Sequence, residues 1–257
     1  TEYQLDNGLR VLLFPDASRP NVTVNMTYFV GSRHEGYGET GMAHLLEHML
    51  FRATRRYPNM DKLYEQRGGY SNGSTTWDRT NYFVSLPSKD DNLAFALDVA
   101  FDQMTGALLR AEDLAREFSV VRNEFEMGEN NPEGVLFERI LSTAYLWHNY
   151  GKSPIGSRAD IERVTVDRLR PFYAKYYRPD NAVLIVAGKF DPQAALALIA
   201  KGAQKIARPK VALPPTYTVE PVQDDERLVV LERTGEIAAL GVAIHGVAGA
   251  DPRMPAA

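Results

Sequence analysis

The sequence of 257 residues contains no cysteine. Disulfide bonds, thiolate nucleophiles and thiolate metal ligands are therefore excluded, and any metal site must be built from His, Asp and Glu. No apolar run approaches the length of a bilayer, so no membrane-spanning segment is expected. Clustered positive charge is missing too: 29 Lys and Arg stand against 33 Asp and Glu, scattered along a chain of net charge −4, and no nucleic-acid partner is expected. The first residues, TEYQLDNGLRVLLF, have neither an initiating Met nor a basic leader region. The expectation is a leader already removed, with the compartment left open and leaning to a bacterial periplasm.

What is present supports a substantial core, since 44% of the residues are hydrophobic and the length suits one large domain or two smaller ones. Histidine is scarce, five in all, yet two fall in the stretch GMAHLLEHMLF at residues 41–51. On a helix His44, Glu47 and His48 share a sector about 100° wide, and Met42, Leu45, Leu46 and Met49 lie opposite. A single histidine on such a helix is ordinarily a hydrogen-bonded core residue. Two at i and i+4 stand one turn apart and can converge on one ion, given a third ligand.

Periodicity divides the rest. LDNGLRVLLF and NVTVNMTYFVGS, with Asn7-Gly8 as a turn signal, predict an opening hairpin over residues 4–32. Helical spacing follows over 58–67, 92–105, 112–126, 135–147 and 166–177, the last with Thr165 as a candidate cap, while SNGSTTWDRTNYFVSL reads as strand. NAVLIVAGKF predicts a buried strand and DPQAALALIAKGAQKI a helix capped by Asp191 with Pro192 at its first position. Strands and helices alternate without a strict βαβ rhythm, which predicts an α+β fold with helices packed on an antiparallel or mixed sheet. Residues 207–226 are Pro-rich and polar, a linker; residues 227–257 then restart a strand, turn, strand pattern that echoes the opening.

The helix pattern AEDLAREFSVVRNEFEMGENN offers Glu117 and Glu124, two turns apart on one face, and each could be a solvated carboxylate or a ligand. Spacing alone does not choose between them. The combination of HLLEH after a strand and a Gly-rich turn, GGYSNGSTTWDRTNYF, and REFSVVRNE on a later helix resembles the pitrilysin, insulysin and mitochondrial processing peptidase family. These are the inverzincins, whose zinc motif inverts His-Glu-x-x-His.

The resemblance implies a mostly antiparallel mixed sheet covered by helices on one face, and a zinc-dependent endopeptidase half acting on extended peptides. It implies His44, His48 and Glu124 as ligands of one zinc ion, Glu47 as general base and Glu117 as a carboxylate orienting a ligand histidine. It places Asn72, Gly73 and Ser74 along the bound substrate, with Asn81 and Tyr82 nearby. Residues 1–206 would be the zinc-binding catalytic domain and 227–257 the opening strands of a second, truncated homologous repeat. The rest of that second half, in the same polypeptide or in a separate subunit, would supply an Arg and Tyr pair. Two other readings stand beside this one. A catalytically inactive structural or recognition subunit of the same fold would ordinarily have lost motif residues that are all present here. S-ribosylhomocysteine cleavage also uses a His-x-x-Glu-His zinc site but resembles a family with a catalytic cysteine, which this chain lacks.

Overall fold

In the computed structural model, residues 1–89, 91–216, 218–234, 238–249 and 251–254 are described. Strands β1 (Glu2–Gln4), β2 (Arg10–Pro15) and β3 (Asn21–Tyr28) lead into helices α1 (Met42–Leu50) and α2 (Met60–Gln66). Strands β4 (Tyr70–Thr75) and β5 (Thr80–Pro87) precede helices α3 (Asn92–Gly106), α4 (Ala111–Glu129) and α5 (Pro132–Ala144). The short α6 (Arg158–Ile161), α7 (Val166–Tyr176), β6 (Ala182–Gly188) and α8 (Pro192–Ala203) complete the strands and α-helices of the described residues. Among the described residues no helix is long and apolar enough to cross a membrane.

The six strands form one mixed sheet in the order β1-β2-β6-β3-β5-β4, antiparallel except where β2 runs parallel to β6. This corrects the opening hairpin. β2 and β3 do not pair; β6 lies between them, and the Asn7-Gly8 turn joins β2 to the short β1 instead. The physical reason is the apolar run AVLIVAG, whose Leu184 and Val186 are fully buried and which is best satisfied as an interior strand with neighbours on both sides.

Register aligns one row of side chains across the sheet: Val11 beside Leu184, Leu184 beside Met26, Met26 beside Tyr82, and Tyr82 beside Gly73 on the last strand. That row faces the core, where α1, α2 and α3 cover the sheet with Leu45, Leu46, Met49, Leu50, Met60, Tyr64 and Leu97. The alternate residues Thr23, Asn25 and Thr27 face the uncovered side, as their polarity dictates. Asp191 caps α8 by accepting from the Ala194 N–H at 2.7 Å, behind Pro192. Thr165 precedes α7 in the cap position, but its side chain makes no capping bond.

After Ala203 the described residues form no further strand or helix of the fold. The strands expected over 227–257 are not formed there, and the turn expected between them falls partly on residues 235–237, outside the described residues. A strand needs a partner's N–H and C=O groups, and this segment has no neighbour in the sheet. Its start lies against the C-terminal end of α5 instead, where Arg227 donates to the carbonyls of Thr143 and Ala144; just before it, Glu220 of the 207–226 stretch accepts from the N–H groups of Leu146, Trp147 and His148, which follow α5.

Candidate metal centre

The centre begins at the entry to α1. Gly41 sits at φ 87° in the left-handed region, where a side chain would be strained and would collide with the Ile155 carbonyl oxygen, 2.5 Å from a Cβ. Glycine cannot cap a helix with a side chain. Glu35 does so from outside, its buried carboxylate accepting from the Gly41 N–H at 3.0 Å and the Ala43 N–H at 2.8 Å. Burial pushes this carboxyl up to about 8 against the pull of those two bonds.

One turn further, α1 meets α4, and the side chains the two helices bring together form a group able to hold a metal ion: His44, His48 and Glu124. The Nε2 atoms of His44 and His48 are 3.3 Å apart. Glu124 Oε2 lies 3.5 Å from the first and 3.4 Å from the second. A tetrahedral zinc-like ion about 2.0–2.1 Å from each donor separates its ligands by about 3.3–3.4 Å, so the three atoms already stand at ligand spacing.

The outer nitrogens differ. His48 Nδ1 is 3.1 Å from Glu117 Oε2, and Glu117, almost wholly buried, is itself ion-paired with Arg52. That pairing fixes the His48 ring with Nε2 turned toward Glu124. His44 Nδ1 is buried without a hydrogen-bond partner among the described residues. Burial therefore pulls the His44 imidazole down to about 4, the neighbouring His48 adding to the effect. Burial also pulls His48 down, but the hydrogen bond its ring donates to Glu117 and the charges of Glu124 and Glu47 outweigh it and its pKa ends raised. For Glu117 burial is overcome by His48 and Arg52, which hold its carboxyl below the usual range. The donor set is thus one neutral imidazole, one anchored imidazole and a carboxylate, a chemistry that suits a divalent ion of the zinc type.

Glu47 points from the same helix to the edge of the sheet. Its Oε2 is 2.5 Å from Thr75 Oγ1, and burial raises its carboxyl despite that bond. Gly73 makes room for it: a Cβ there would stand 2.9 Å from Glu47 Oε1. These residues, with Phe51, Asn72 and Ser74, line an open cleft of about 430 Å³ around the His44, His48 and Glu124 group.

The structure places the sequence-predicted residues unequally. His44, Glu47, His48, Glu124 and Gly73 meet at the cleft, and Glu117 stands directly behind His48. Tyr82 does not reach the cleft as a side chain: it is buried on the core face, its hydroxyl 2.8 Å from that of Tyr177. Asn81 is turned to the other face, where its Oδ1 accepts from Ser74 Oγ at 2.7 Å. Alternation along β4 puts the Asn72 and Ser74 side chains on that face as well, so their main chain is what they present at the edge. Three further residues of the site, Thr75, Arg52 and Glu35, are not among the sequence-based candidates. Thr75 has a signal in its i+2 spacing from Gly73; the other two are joined to the site only by tertiary contacts.

Comparison with known proteins follows the same lines. The sequence model of the insulinase family, Peptidase family M16, matches residues 10–158, and that of the Peptidase M16 inactive domain matches 163–257. The chain is 35% identical over 245 residues to the zinc protease PqqE of Helicobacter pylori, covering 92% of this chain and 55% of that relative. Among solved structures, a protease from Helicobacter pylori superposes with a TM-score of 0.80 at 33% identity, over 86% of this chain and 54% of that one. The first half of the periplasmic protease PqqL from Escherichia coli gives 0.77 at 29% identity, over 86% and 48%. The chain thus spans about half the length of the Helicobacter pylori zinc protease.

Proposed function

Because this chain belongs to the insulinase family of peptidases, family M16, we propose that its cleft is the metal centre of a zinc-dependent endopeptidase half. The observation that carries the reading is the convergence of His44 Nε2, His48 Nε2 and Glu124 Oε2 at ligand spacing with the Glu47 carboxylate beside them. His44, His48 and Glu124 would hold the zinc, which when bound would supply Lewis acidity and a water activated for attack at neutral pH. The remaining work falls to the protein. Glu47 takes a proton from the attacking water and returns it to the departing amine. Glu117, fixed by Arg52, keeps the His48 ring in the orientation that aims Nε2 into the cleft.

Substrate recognition in this reading belongs to β4, the edge strand. Among the described residues it pairs only with β5, and the Gly73 N–H is taken at 2.8 Å by the side chain of Asn72, its own neighbour. An extended peptide laid along that edge would replace the Asn72 oxygen with a main-chain carbonyl, a mode that tolerates many side chains. Residues 1–206 form the catalytic unit of this proposal, 207–226 a linker, and 227–257 the start of a second homologous unit whose remainder supplies an Arg and Tyr pair to the chamber. The relative from Escherichia coli is described as periplasmic, and the periplasm is the compartment we propose here.

Metal analysis and peptide turnover of two variants test the reading. His48→Ala is expected to lose most of its zinc. Glu47→Gln is expected to keep its zinc and lose turnover by about 10²–10⁴-fold, since it preserves shape while removing the base. Stoichiometric zinc in His48→Ala, or near-normal turnover in Glu47→Gln, would sink it.

A further inference from the structure

The strand edge and the base meet at one contact. Thr75 Oγ1 lies 2.5 Å from Glu47 Oε2 and 3.4 Å from Thr80 Oγ1. Thr80 is fully buried, and its hydroxyl donates to the Val30 carbonyl at 2.8 Å, an oxygen that can only accept. The single proton of Thr80 is thereby committed and cannot serve Thr75. The proton of Thr75 goes to Glu47, and the direction of the bond is set: hydroxyl donating, carboxylate oxygen accepting.

The other oxygen is in a different situation. Among the described residues Glu47 Oε1 has no hydrogen-bond partner, and it faces Gly73, where the missing side chain leaves the space beside it open to the cleft. Gly73 and Thr75 are i and i+2 on β4, so they present to the carboxylate in succession from one face of one strand. A carboxylate turns readily about its last torsion, and without a fixed partner either oxygen would face the reaction centre.

Resting on the assignment of Glu47 as base, we propose that Thr75 is a positioning residue that holds Oε2 and so reserves Oε1, on the Gly73 side, for proton transfer. In the forward step an O–H bond of water breaks and its proton lands on Oε1 while the oxygen attacks the scissile carbonyl carbon. When the C–N bond breaks, the same proton passes from Oε1 to the amine nitrogen, and the carboxylate returns to its starting state. Because Thr75 belongs to the edge strand, a peptide that pairs with β4 also steadies the hydroxyl that orients the base.

The test uses the full-length protein with both halves, comparing Thr75→Val, Thr75→Ser and Glu47→Gln. Valine keeps the shape and β-propensity of threonine and removes only the hydroxyl. It is expected to lower kcat by about 10- to 100-fold with KM and zinc content unchanged, and serine is expected to recover most of the loss. Wild-type kcat in Thr75→Val would overturn the proposal, as would an equal loss in Thr75→Ser or a loss of zinc in step with activity. Glu47→Gln separates the two levels. If it is inactive while Thr75→Val is fully active, the base stands and the positioning role falls; if Glu47→Gln is active, the base itself is wrong.

Discussion

Residues 21–28 and residues 238–249 carry the same kind of apolar patterning and have opposite fates. Val22, Val24 and Met26 are no more than 2% exposed, because β5 and β6 flank their strand and α3 covers it. Leu240, Val242 and Ile244 are 91%, 79% and 89% exposed. Alternation therefore states only that a segment can bury one face. Whether it becomes a strand depends on a partner edge and a cover, which are properties of the surrounding chain. The first region has both, and the sheet and helices around it carry every residue of the metal group. Among the described residues the later region pairs with no strand, and its Leu240, Val242 and Ile244 side chains stay exposed.

The largest expected effect breaks the comparison by supplying the missing cover. Residues 1–257 contain the three proposed ligands and the proposed base Glu47 but no segment assigned to steady a developing oxyanion, and losing one such donor costs about 10²–10³ in rate. The isolated chain should hold zinc and cleave an unfolded peptide poorly. Adding the complementary half should raise turnover by at least about that factor and leave zinc content unchanged. Full activity in residues 1–257 alone would show that the half is not needed.

Much of the fold built around the first region is legible in the sequence, for local reasons. The helices α1, α3, α4 and α8 follow from their apolar spacing, and α8 also from Asp191 and Pro192, because the signals lie within one turn of the element they define. The insertion of β6 between β2 and β3 is not legible. It is a pairing of residue 11 with residue 184, and nothing in the periodicity of either strand names its neighbour. The site divides in the same way. The His44, Glu47, His48 spacing is written in one helix, but the distinct placements of Glu117 behind His48 and Glu124 beside both rings depend on how α4 crosses α1. Glu35 sits in an acidic, glycine-rich stretch with no helical pattern of its own, and its role as a cap arises only because the chain turns back on α1.

Glu35 gives a smaller effect that sharpens the account of the first region's fold. Its removal by Glu35→Ala leaves two helix N–H groups buried without an acceptor and is expected to destabilise the chain by about 1–3 kcal/mol. The pH dependence has a definite sign. The carboxyl is raised in the folded chain to about 8 from 4.5, so the folded state binds the extra proton between those values. Its contribution to stability is fully present below pH 4.5 and is lost as pH rises through 8. Urea midpoints at pH 6 and pH 8.5 should therefore fall more steeply for the wild type than for Glu35→Gln, which cannot titrate. Parallel slopes in the two proteins would mean that Glu35 keeps an ordinary carboxyl.

The smallest effect tests the later region directly. Val242 is 79% exposed and Leu184 is fully buried between β2 and β3. In residues 1–257, Leu184→Ala should cost about 2–5 kcal/mol, because it removes methyl groups from a packed row and leaves a cavity. Val242→Ser in the same chain should stay within about 0.5 kcal/mol, since it exchanges one solvated side chain for another. The two substitutions should converge once the complementary half is present, because a valine that becomes buried in a strand gains about 1.5–3 kcal/mol from the area removed from water. Denaturant midpoints of both variants, measured with and without that half, decide the matter. A large cost for Val242→Ser in the isolated chain would mean that residues 238–249 are already covered in solution. No cost in the completed protein would mean that this segment never becomes a core strand, and that its alternation carries no structural message.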